Sequence, residues 1–255
     1  MGANNQLALA FSLADAADDI TLKGFRAGRH AISTKWDRSP VSEIDLTVET
    51  RLRRIVADSH PGAGFLGEEY SEVGGSGERW IVDPLDQTRN YLRGIELYAT
   101  LLAHEVDGEI RTAVISAPSL KLRWWATKGG GAFENGTRIQ TSEIDRLENA
   151  MISIHSPRKL AADGRASGMA SLIAEAGSTY GLGNFWAHML VARGAVDLAV
   201  SMGGKDWDYA APSLIVREAG GKFSDLDGNQ AQVSGSAVSS NSALHSVAIE
   251  KMRRM

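Results

Sequence analysis

The stretch Trp80-Ile81-Val82-Asp83-Pro84-Leu85-Asp86-Gln87-Thr88 places two acids directly after three β-forming apolar residues. The apolar residues predict a buried strand that brings Asp83 to its C-terminal end, where Pro84 lacks a backbone donor and stops the strand. Asp86 and Thr88 then lie at the start of the next element, where backbone N–H groups point outward. Paired carboxylates suit a hard cation and N–H groups suit an anion, so this stretch predicts a metal and a phosphate together.

The composition is that of an ordinary globular protein. The 255 residues are 43% hydrophobic and 23% charged, with a formal net charge of −4, and a chain of this length can bury a large core in one or two domains. The basic residues are scattered, so no basic patch points to a nucleic-acid partner. No stretch approaches the roughly 18 apolar residues that span a bilayer, so we expect no membrane association.

The N-terminus and the lack of cysteine indicate a cytoplasmic protein. With no cysteine in the chain, disulfides, thiolate metal sites and a cysteine nucleophile are excluded. The first six residues lack the basic start of a signal peptide. Gln6 stands where myristoylation would need Ser or Thr.

Hydrophobic periodicity in the first half predicts helices followed by antiparallel strands. The expected elements are one or two helices over 5–28, a loop or short hairpin over 33–42, a helix from Ser42 to about Asp58, a short strand near 63–67, and strands over 97–104, 109–117, 122–127 and 131–139. The Asp107-Gly108 and Asn135-Gly136 pairs are strong turn signals. Successive antiparallel strands disfavour a doubly wound parallel fold.

The composition changes near residues 140–150, and the second half alternates strands with helices. The expected strands cover 150–155, 178–182, 195–202, 222–224 and 237–239, and the expected helices cover 158–176, 184–193, 209–219 and 242–253. Such alternation predicts layered sheets and helices. We therefore expect two halves, with a large antiparallel sheet and the predicted metal site in 1–145 and an α/β arrangement in 146–255.

Acids recur at the ends of the predicted elements. They are Asp45, Glu68, Asp83, Asp86 and Asp208. Each has an ordinary explanation when taken alone, because an acid near a helix N-terminus most often caps the helix and Gly67-Glu68-Glu69 suits a solvated turn. If the fold gathered these carboxylates without cations, they would repel each other and raise one another's pKa. A cluster of them would therefore favour a metal site.

Four sequence blocks in order resemble the inositol monophosphatase superfamily along nearly the whole chain. They are Ser39-Pro40-Val41-Ser42 with Asp45, Gly67-Glu68-Glu69, Asp83-Pro84-Leu85-Asp86 with Thr88, and Trp207-Asp208-Tyr209-Ala210-Ala211. Further blocks, at 123–126, 129–133, 194–197 and 217–221, look most like its bacterial histidinol-phosphatase branch. The resemblance implies an α/β fold, a five-layer αβαβα sandwich. It also implies Mg²⁺-dependent hydrolysis of small phosphomonoesters, and commonly a homodimer.

The resemblance also implies a role for each acid. Glu68, Asp83 and the carbonyl oxygen of Leu85 would hold a first Mg²⁺. Asp83, Asp86 and Asp208 would hold a second, and Glu68 could also face a third, looser ion. Two metals can stabilise both the attacking and the leaving oxygen of an in-line displacement.

The catalytic residues implied by the resemblance are Asp45, Thr88 and Glu68. Asp45 and Thr88 would position and deprotonate the attacking water. A pure phosphate-binding protein would not need such a pair, which disfavours a non-catalytic sensor as the alternative function. A third alternative, plain acidic surface loops, would bind no Mg²⁺.

The residues expected around the substrate are Gln87, Thr88, Arg89, Asn184, His188 and Ser201. Four of them, Gln87, Arg89, Asn184 and Ser201, depart from the family pattern. Gln87 stands where the family usually has Gly, whose backbone can wrap the phosphate closely, and Arg89 stands where it usually has Lys, which changes the donor geometry. Asn184 and Ser201 replace two acids that are usual in the histidinol-phosphatase branch.

These departures leave two substrate hypotheses. Histidinol phosphate is the first choice because the resemblance extends along the whole chain. A nucleoside 5′-monophosphate or an inositol or sugar phosphate is the alternative, because losing two acids weakens the case for a cationic amino alcohol.

The histidines and tryptophans add little to the functional argument. The six histidines do not pair at metal-ligand spacing, which disfavours zinc. Of Trp124 and Trp125, one is expected in the core and the other at a site or a subunit contact.

Overall fold

The computed structural model describes residues 3–28, 32–34, 40–74, 77–230 and 235–253. Ser39 of the first family block lies outside the described residues. The chain divides into two compact units, residues 1–127 (unit 1) and 128–255 (unit 2). None of the described helices is both long and apolar enough to cross a membrane.

Unit 1 combines three helices with a largely antiparallel set of strands among its described residues. The helices are α1 (Ala3–Ala27), α2 (Glu43–Ser59) and α3 (Thr88–Leu92), and the strands are β1 (Ile32–Thr34), β2 (Pro40–Ser42), β3 (Gly64–Gly67), β4 (Glu78–Asp86), β5 (Ala99–Val106), β6 (Glu109–Ala117) and β7 (Leu122–Thr127). Strands β3 to β7 lie side by side in chain order. β3 pairs with β4 in parallel, and the other pairs are antiparallel, as predicted.

The predicted turns and helix starts of unit 1 are confirmed. β1 and β2 form an antiparallel hairpin, and α2 begins after the N-cap Ser42. Asp107 and Gly108 both have positive φ, which a two-residue hairpin turn requires. The first helix is continuous to Ala27 and ends at Gly28, whose φ of +68° suits glycine.

The core of unit 1 lies where α1 and α2 pack against the strands. It includes Leu13 of α1, Leu52 of α2 and Trp80 of β4. Trp124 is fully buried. Trp125 is half-buried and packs edge-on against Phe11 of α1, with ring centroids 5.2 Å apart. Both tryptophans therefore serve packing within unit 1.

The prediction that Pro84 ends its strand is wrong. β4 continues to Asp86, and its pairing with β5 shifts between Asp83 and Asp86, which leaves one extra residue on β4. Such a bulge removes the need for a backbone donor at the proline. The hydroxyl of Thr100 on β5 donates to the carbonyl oxygen of Pro84 at 2.9 Å. The irregular turn is therefore anchored from the neighbouring strand.

Unit 2 is an α/β unit built around a mixed sheet. Its described strands are β8 (Gly131–Glu134), β9 (Thr137–Ile139), β10 (Met151–Ile154), β11 (Ser178–Tyr180), β12 (Leu198–Met202), β13 (Lys222–Ser224) and β14 (Ser236–Ser240), and its described helices are α4 (Pro157–Ala162), α5 (Ala166–Glu175), α6 (Asn184–Ala192), α7 (Asp206–Glu218) and α8 (His245–Met252). The sheet order is β11-β10-β12-β14-β13, with β10 parallel to β11 and β12. β8 and β9 form the expected hairpin.

The single helix predicted over 158–176 is wrong, because α4 and α5 are separate. Gly164 has a φ of +80° and interrupts the helical path. The buried guanidinium of Arg165 then donates to the carbonyl oxygens of Leu226 and Met252 and pairs with Asp163 and Asp227. These distant partners stabilise the break.

The buried histidine of α8 makes unit 2 sensitive to acid. His245 lies within hydrogen-bond distance of the hydroxyls of Ser224 and Ser240, both at 2.9 Å. Burial, with the charges of Lys222 and Arg217, lowers the pKa of His245 to about 4. The ring is therefore neutral in the folded protein at a pH where an unfolded histidine is already protonated.

We expect the free energy of unfolding to decrease as the pH falls from about 6.5 to about 4, because the unfolded chain then binds more protons than the folded chain. The number of protons taken up on unfolding sets this slope, and replacing His245→Gln should lower that number by about one. Urea unfolding measured at several pH values checks this. An unchanged slope in the variant would contradict it.

We expect Thr100→Val to destabilise the protein by about 1–3 kcal/mol, because the buried carbonyl of Pro84 would lose its donor. Thr47 of α2 provides a matched control. Its hydroxyl also donates to a carbonyl oxygen, that of Glu43, but is exposed, so water can replace it in Thr47→Val. Urea unfolding of both variants should separate them; equal losses of stability would argue against the anchoring role.

Candidate functional site

Glu68 and Asp83 each follow one of two paired residues on the neighbouring strands β3 and β4. In the parallel pair β3–β4, Gly67 lies opposite Val82, so the next residue of each strand is one of these acids. Asp83 is only 1% exposed, whereas Glu68 is half-buried. The sequence predicted both acids at strand ends: Glu68 does follow the last residue of β3, whereas Asp83 lies within β4, where the bulge begins.

The turn after Asp83 holds both an acid and a carbonyl oxygen in place. The backbone N–H of Leu85 donates to Asp83 Oδ1 at 3.0 Å. The side chain of Leu85 is buried with Tyr91 and Tyr98, which fixes the direction of its peptide groups. Asp86 follows and is also buried. Three of the predicted ligand residues thus lie within one rigid bulge.

Asp45 lies buried in the first turn of α2 and caps that helix. The N–H and hydroxyl of Ser42 donate to Asp45 Oδ2 at 2.8 and 2.5 Å. Burial raises the pKa of Asp45 above its ordinary value; hydrogen bonds from Ser42 and Thr88 oppose this, and the charge of Glu68 raises it. The capping explanation therefore holds for this acid, and its other oxygen serves a second purpose.

That purpose is a hydrogen bond to Thr88, the first residue of α3. The hydroxyl oxygen of Thr88 lies 3.0 Å from Asp45 Oδ1 and 3.0 Å from the carbonyl oxygen of Leu85. One hydroxyl hydrogen can serve only one of these acceptors well. The sequence predicted Asp45 and Thr88 as a pair, and unit 1 brings them into contact.

The donors gathered in unit 1 fit a hard divalent cation. They are carboxylate and carbonyl oxygens without sulfur, the ligand set that Mg²⁺ and Ca²⁺ prefer. Asp83 and Asp86 are buried carboxylates, and burying negative charge is unfavourable unless cations or hydrogen bonds offset it. A bound cation would supply that charge.

Gln87 has a backbone conformation that glycine adopts more easily than other residues, and glycine is the residue that the resemblance led us to expect here. Gln87 precedes α3 with a φ of +70° and a ψ of +40°, in the left-handed region. A side chain there costs about 1 kcal/mol or more. Arg89 lies two residues later on α3 and is exposed.

Asp208 opens α7 in unit 2. Its Oδ2 accepts a hydrogen bond from the N–H of Lys205 at 2.5 Å, so this acid also caps its helix. The cap uses only one carboxylate oxygen, Oδ2. The residue as a whole is half-buried. Its predicted role as a metal ligand is compatible with this second task.

The predicted substrate residues of unit 2 differ in accessibility. Asn184 begins α6 with a φ of +52° and is half-buried. Ser201 is buried, with its hydroxyl 3.2 Å from that of Tyr209. His188 is fully buried, 2.8 Å from the hydroxyl of Ser239, and burial lowers its pKa to about 3. His188 therefore packs inside unit 2 as a neutral ring.

Sequence reasoning missed a histidine cluster in unit 1. The ligand atoms of His60, Glu78 and His104 lie within 4.8 Å of one another. Trp80 Nε1 donates to His60 Nδ1 at 3.3 Å, which leaves the His60 proton on Nε2, facing Glu78 at 3.2 Å. A protonated nitrogen cannot bind a metal. The hydrogen bond from Trp80 therefore fixes the His60 ring with its Nε2 proton toward Glu78.

Sequence reasoning also missed Glu49 and Arg53 of α2, which contact the loop that carries Glu68. Their position one and two helical turns after Asp45 was the available signal. It is weak, because charged pairs four residues apart on a helix are common on surfaces.

Comparison with known proteins places this geometry in a family. The sequence profile of the inositol monophosphatase family matches residues 4–255. A histidinol-phosphatase of Mycobacterium tuberculosis is 38% identical over 258 residues, covering 98% of both chains. An inositol-1-monophosphatase of Mesorhizobium japonicum is 34% identical over 233 residues, covering 88% of this chain and 86% of that one.

A solved structure gives the same result at the level of the fold. The inositol monophosphatase of Zymomonas mobilis is similar with a TM-score of 0.87 at 29% identity, covering 99% of each chain. The predicted α/β fold and the predicted family are thereby confirmed. This chain therefore belongs to the inositol monophosphatase family and is a metal-dependent phosphomonoesterase.

Proposed function

We propose that this protein hydrolyses histidinol phosphate to histidinol in a Mg²⁺-dependent reaction. The observation that carries the reaction type is the contact between Thr88 and Asp45 beside the buried acids of β4. The substrate is supported by the 38% identity with a histidinol-phosphatase along nearly the whole chain.

Glu68, Asp83 and the carbonyl oxygen of Leu85 would hold a first Mg²⁺. Asp83, Asp86 and Asp208 would hold a second, with Asp208 assigned from the family motif. Bound Mg²⁺ would neutralise the phosphate and stabilise the attacking and leaving oxygens.

The protein's own residues would handle the proton of the attacking water. The Thr88 hydroxyl accepts a hydrogen bond from the water while it donates its own hydrogen to Asp45 Oδ1. The water proton can then pass to Thr88 as the Thr88 proton passes to Asp45. The capping hydrogen bonds from Ser42 hold Asp45 in the orientation that this transfer requires.

A neutral phosphorylated alcohol, such as an inositol, sugar or nucleoside monophosphate, is the second candidate substrate. Asn184 and Ser201 stand where acids would be expected to meet a cationic substrate, and Ser201 faces the hydroxyl of Tyr209. The 34% identity with an inositol-1-monophosphatase favours the same candidate.

We expect Asp83→Asn to lower turnover by roughly 1000-fold, equivalent to about 4 kcal/mol, because a shared metal ligand would be lost. Asp58→Asn is the matched control, since Asp58 is an acid on α2 with a side chain 74% exposed. Phosphate release and circular dichroism should show an inactive, folded Asp83 variant and an active control. Full activity of Asp83→Asn would refute the assignment.

We expect the highest kcat/KM in a substrate panel for histidinol phosphate, compared with inositol 1-phosphate, a nucleoside 5′-monophosphate and p-nitrophenyl phosphate. Phosphate release with Mg²⁺ is the measurement. A preference for a neutral alcohol would support the second candidate. If histidinol phosphate reacts no faster than the generic ester, the substrate proposal is wrong, and no release from any ester would indicate a non-catalytic protein.

A further inference from the structure

Glu49 is a buried acid that the mechanism above does not use. It lies on α2, one turn after Asp45, and its side chain is 0% exposed. Its carboxylate accepts hydrogen bonds from the backbone N–H groups of Glu69 and Tyr70, at 2.7 and 3.2 Å. These are the two residues that directly follow Glu68, so the chain turns around the Glu49 carboxylate as it leaves β3.

Arg53 completes this contact from the next turn of α2. Its Nε and Nη2 donate to Glu49 Oε1 at 2.9 and 2.7 Å. Nη2 also lies 3.1 Å from the carbonyl oxygens of Tyr70 and Ser71, and the guanidinium lies 4.6 Å from the ring centroid of Phe65 on β3. One cation therefore ties Glu49, the loop and the strand together.

Gly67 shows how closely Glu49 approaches the loop. A Cβ atom at Gly67 would lie 2.2 Å from Glu49 Oε1 and 2.3 Å from its carboxyl carbon. A side chain at Gly67 would therefore displace the Glu49 carboxylate from its hydrogen bonds with the loop. The main chain of Glu68 is fixed by strand pairing on one side, at Gly67, and by Glu49 on the other, at Glu69.

We propose that Glu49 is a positioning residue that fixes the backbone at Glu68 so that the Glu68 carboxylate reaches the metal, an inference that rests on the proposed function. A surface ion pair would not do this, because exposed pairs contribute little and hold no fixed geometry. Here the carboxylate is fully buried and has charge-assisted donors from both backbone and arginine, which are stronger and more directional. Residues that orient metal ligands in this way commonly affect metal affinity.

Mg²⁺ affinity of the full chain, measured by isothermal titration calorimetry without substrate, tests the proposal. We expect Glu49→Gln to weaken Mg²⁺ binding by about 10- to 100-fold, because one amide group cannot accept both backbone hydrogen bonds and the arginine. Asp58→Asn is the control. It removes a carboxylate from the same helix, where Asp58 faces Arg54 at 3.9 Å and is exposed, and should bind Mg²⁺ as the wild type does.

A double-mutant cycle with Glu68→Gln distinguishes positioning from general destabilisation. If Glu49 acts through Glu68, Glu49→Gln should have little further effect on Mg²⁺ affinity once Glu68 is replaced. A merely structural role predicts a lower melting temperature with wild-type Mg²⁺ affinity in the folded protein, and that result would overturn the proposal. Additive effects in the cycle would also overturn it.

Should Glu49→Gln fail to fold, Arg53→Lys decides by the same criteria, because lysine cannot span the carboxylate and both carbonyl oxygens.

Two reference variants keep this inference separate from the proposed function. If Asp83→Asn loses Mg²⁺ binding while Glu49→Gln keeps it, the metal site stands and the positioning role is wrong. If neither Asp83→Asn nor Glu68→Gln changes Mg²⁺ affinity, the proposed metal site itself is wrong, and the positioning role falls with it.

Discussion

The parallel register of β3 and β4 is the constraint on which the catalytic part of unit 1 depends. Gly67 lies opposite Val82, so Glu68 and Asp83 are the next residues along the two neighbouring strands. A shift of one residue would turn every side chain of β3 to the other face. A side chain at Gly67 would displace the Glu49 carboxylate, so the end of β3 is held both by its pairing with β4 and by Glu49 of α2. The pairing with β4 therefore sets where Glu68 begins relative to Asp83.

Several acids in this chain have two tasks at once. Asp45 and Asp208 both cap helices, which is the ordinary explanation for an acid at a helix start. A carboxylate has two oxygens, however, and at Asp45 the cap uses one of them while the other meets Thr88. The structural and the catalytic explanations are therefore compatible. Removing such a residue would change helix stability and chemistry together.

Short-range features of the fold could be predicted from the sequence, and long-range ones could not. The Ser42 cap and the Asp107-Gly108 turn depend on adjacent residues, and both were predicted. The continuation of β4 past Pro84 depends on Thr100, and the break between α4 and α5 is held by partners of Arg165 at Leu226 and Met252. The candidate site follows the same rule: its acids stand in recognisable motifs, whereas Glu49 acquires its role only through a loop 20 residues away.

Glycine can be needed at a position for two reasons, lack of room for a Cβ atom or an unusual φ angle. Only the second applies at Gln87, whose backbone is left-handed. At Gly67 a Cβ atom would displace the Glu49 carboxylate, whereas position 87 requires only an unusual φ, which the chain adopts with a glutamine in place. A conformational demand is graded, since Asn and Asp meet it more easily than β-branched residues do. Position 87 is therefore a point where the side chain can change at a modest loss of stability, so that variants there can be compared without redesigning the scaffold.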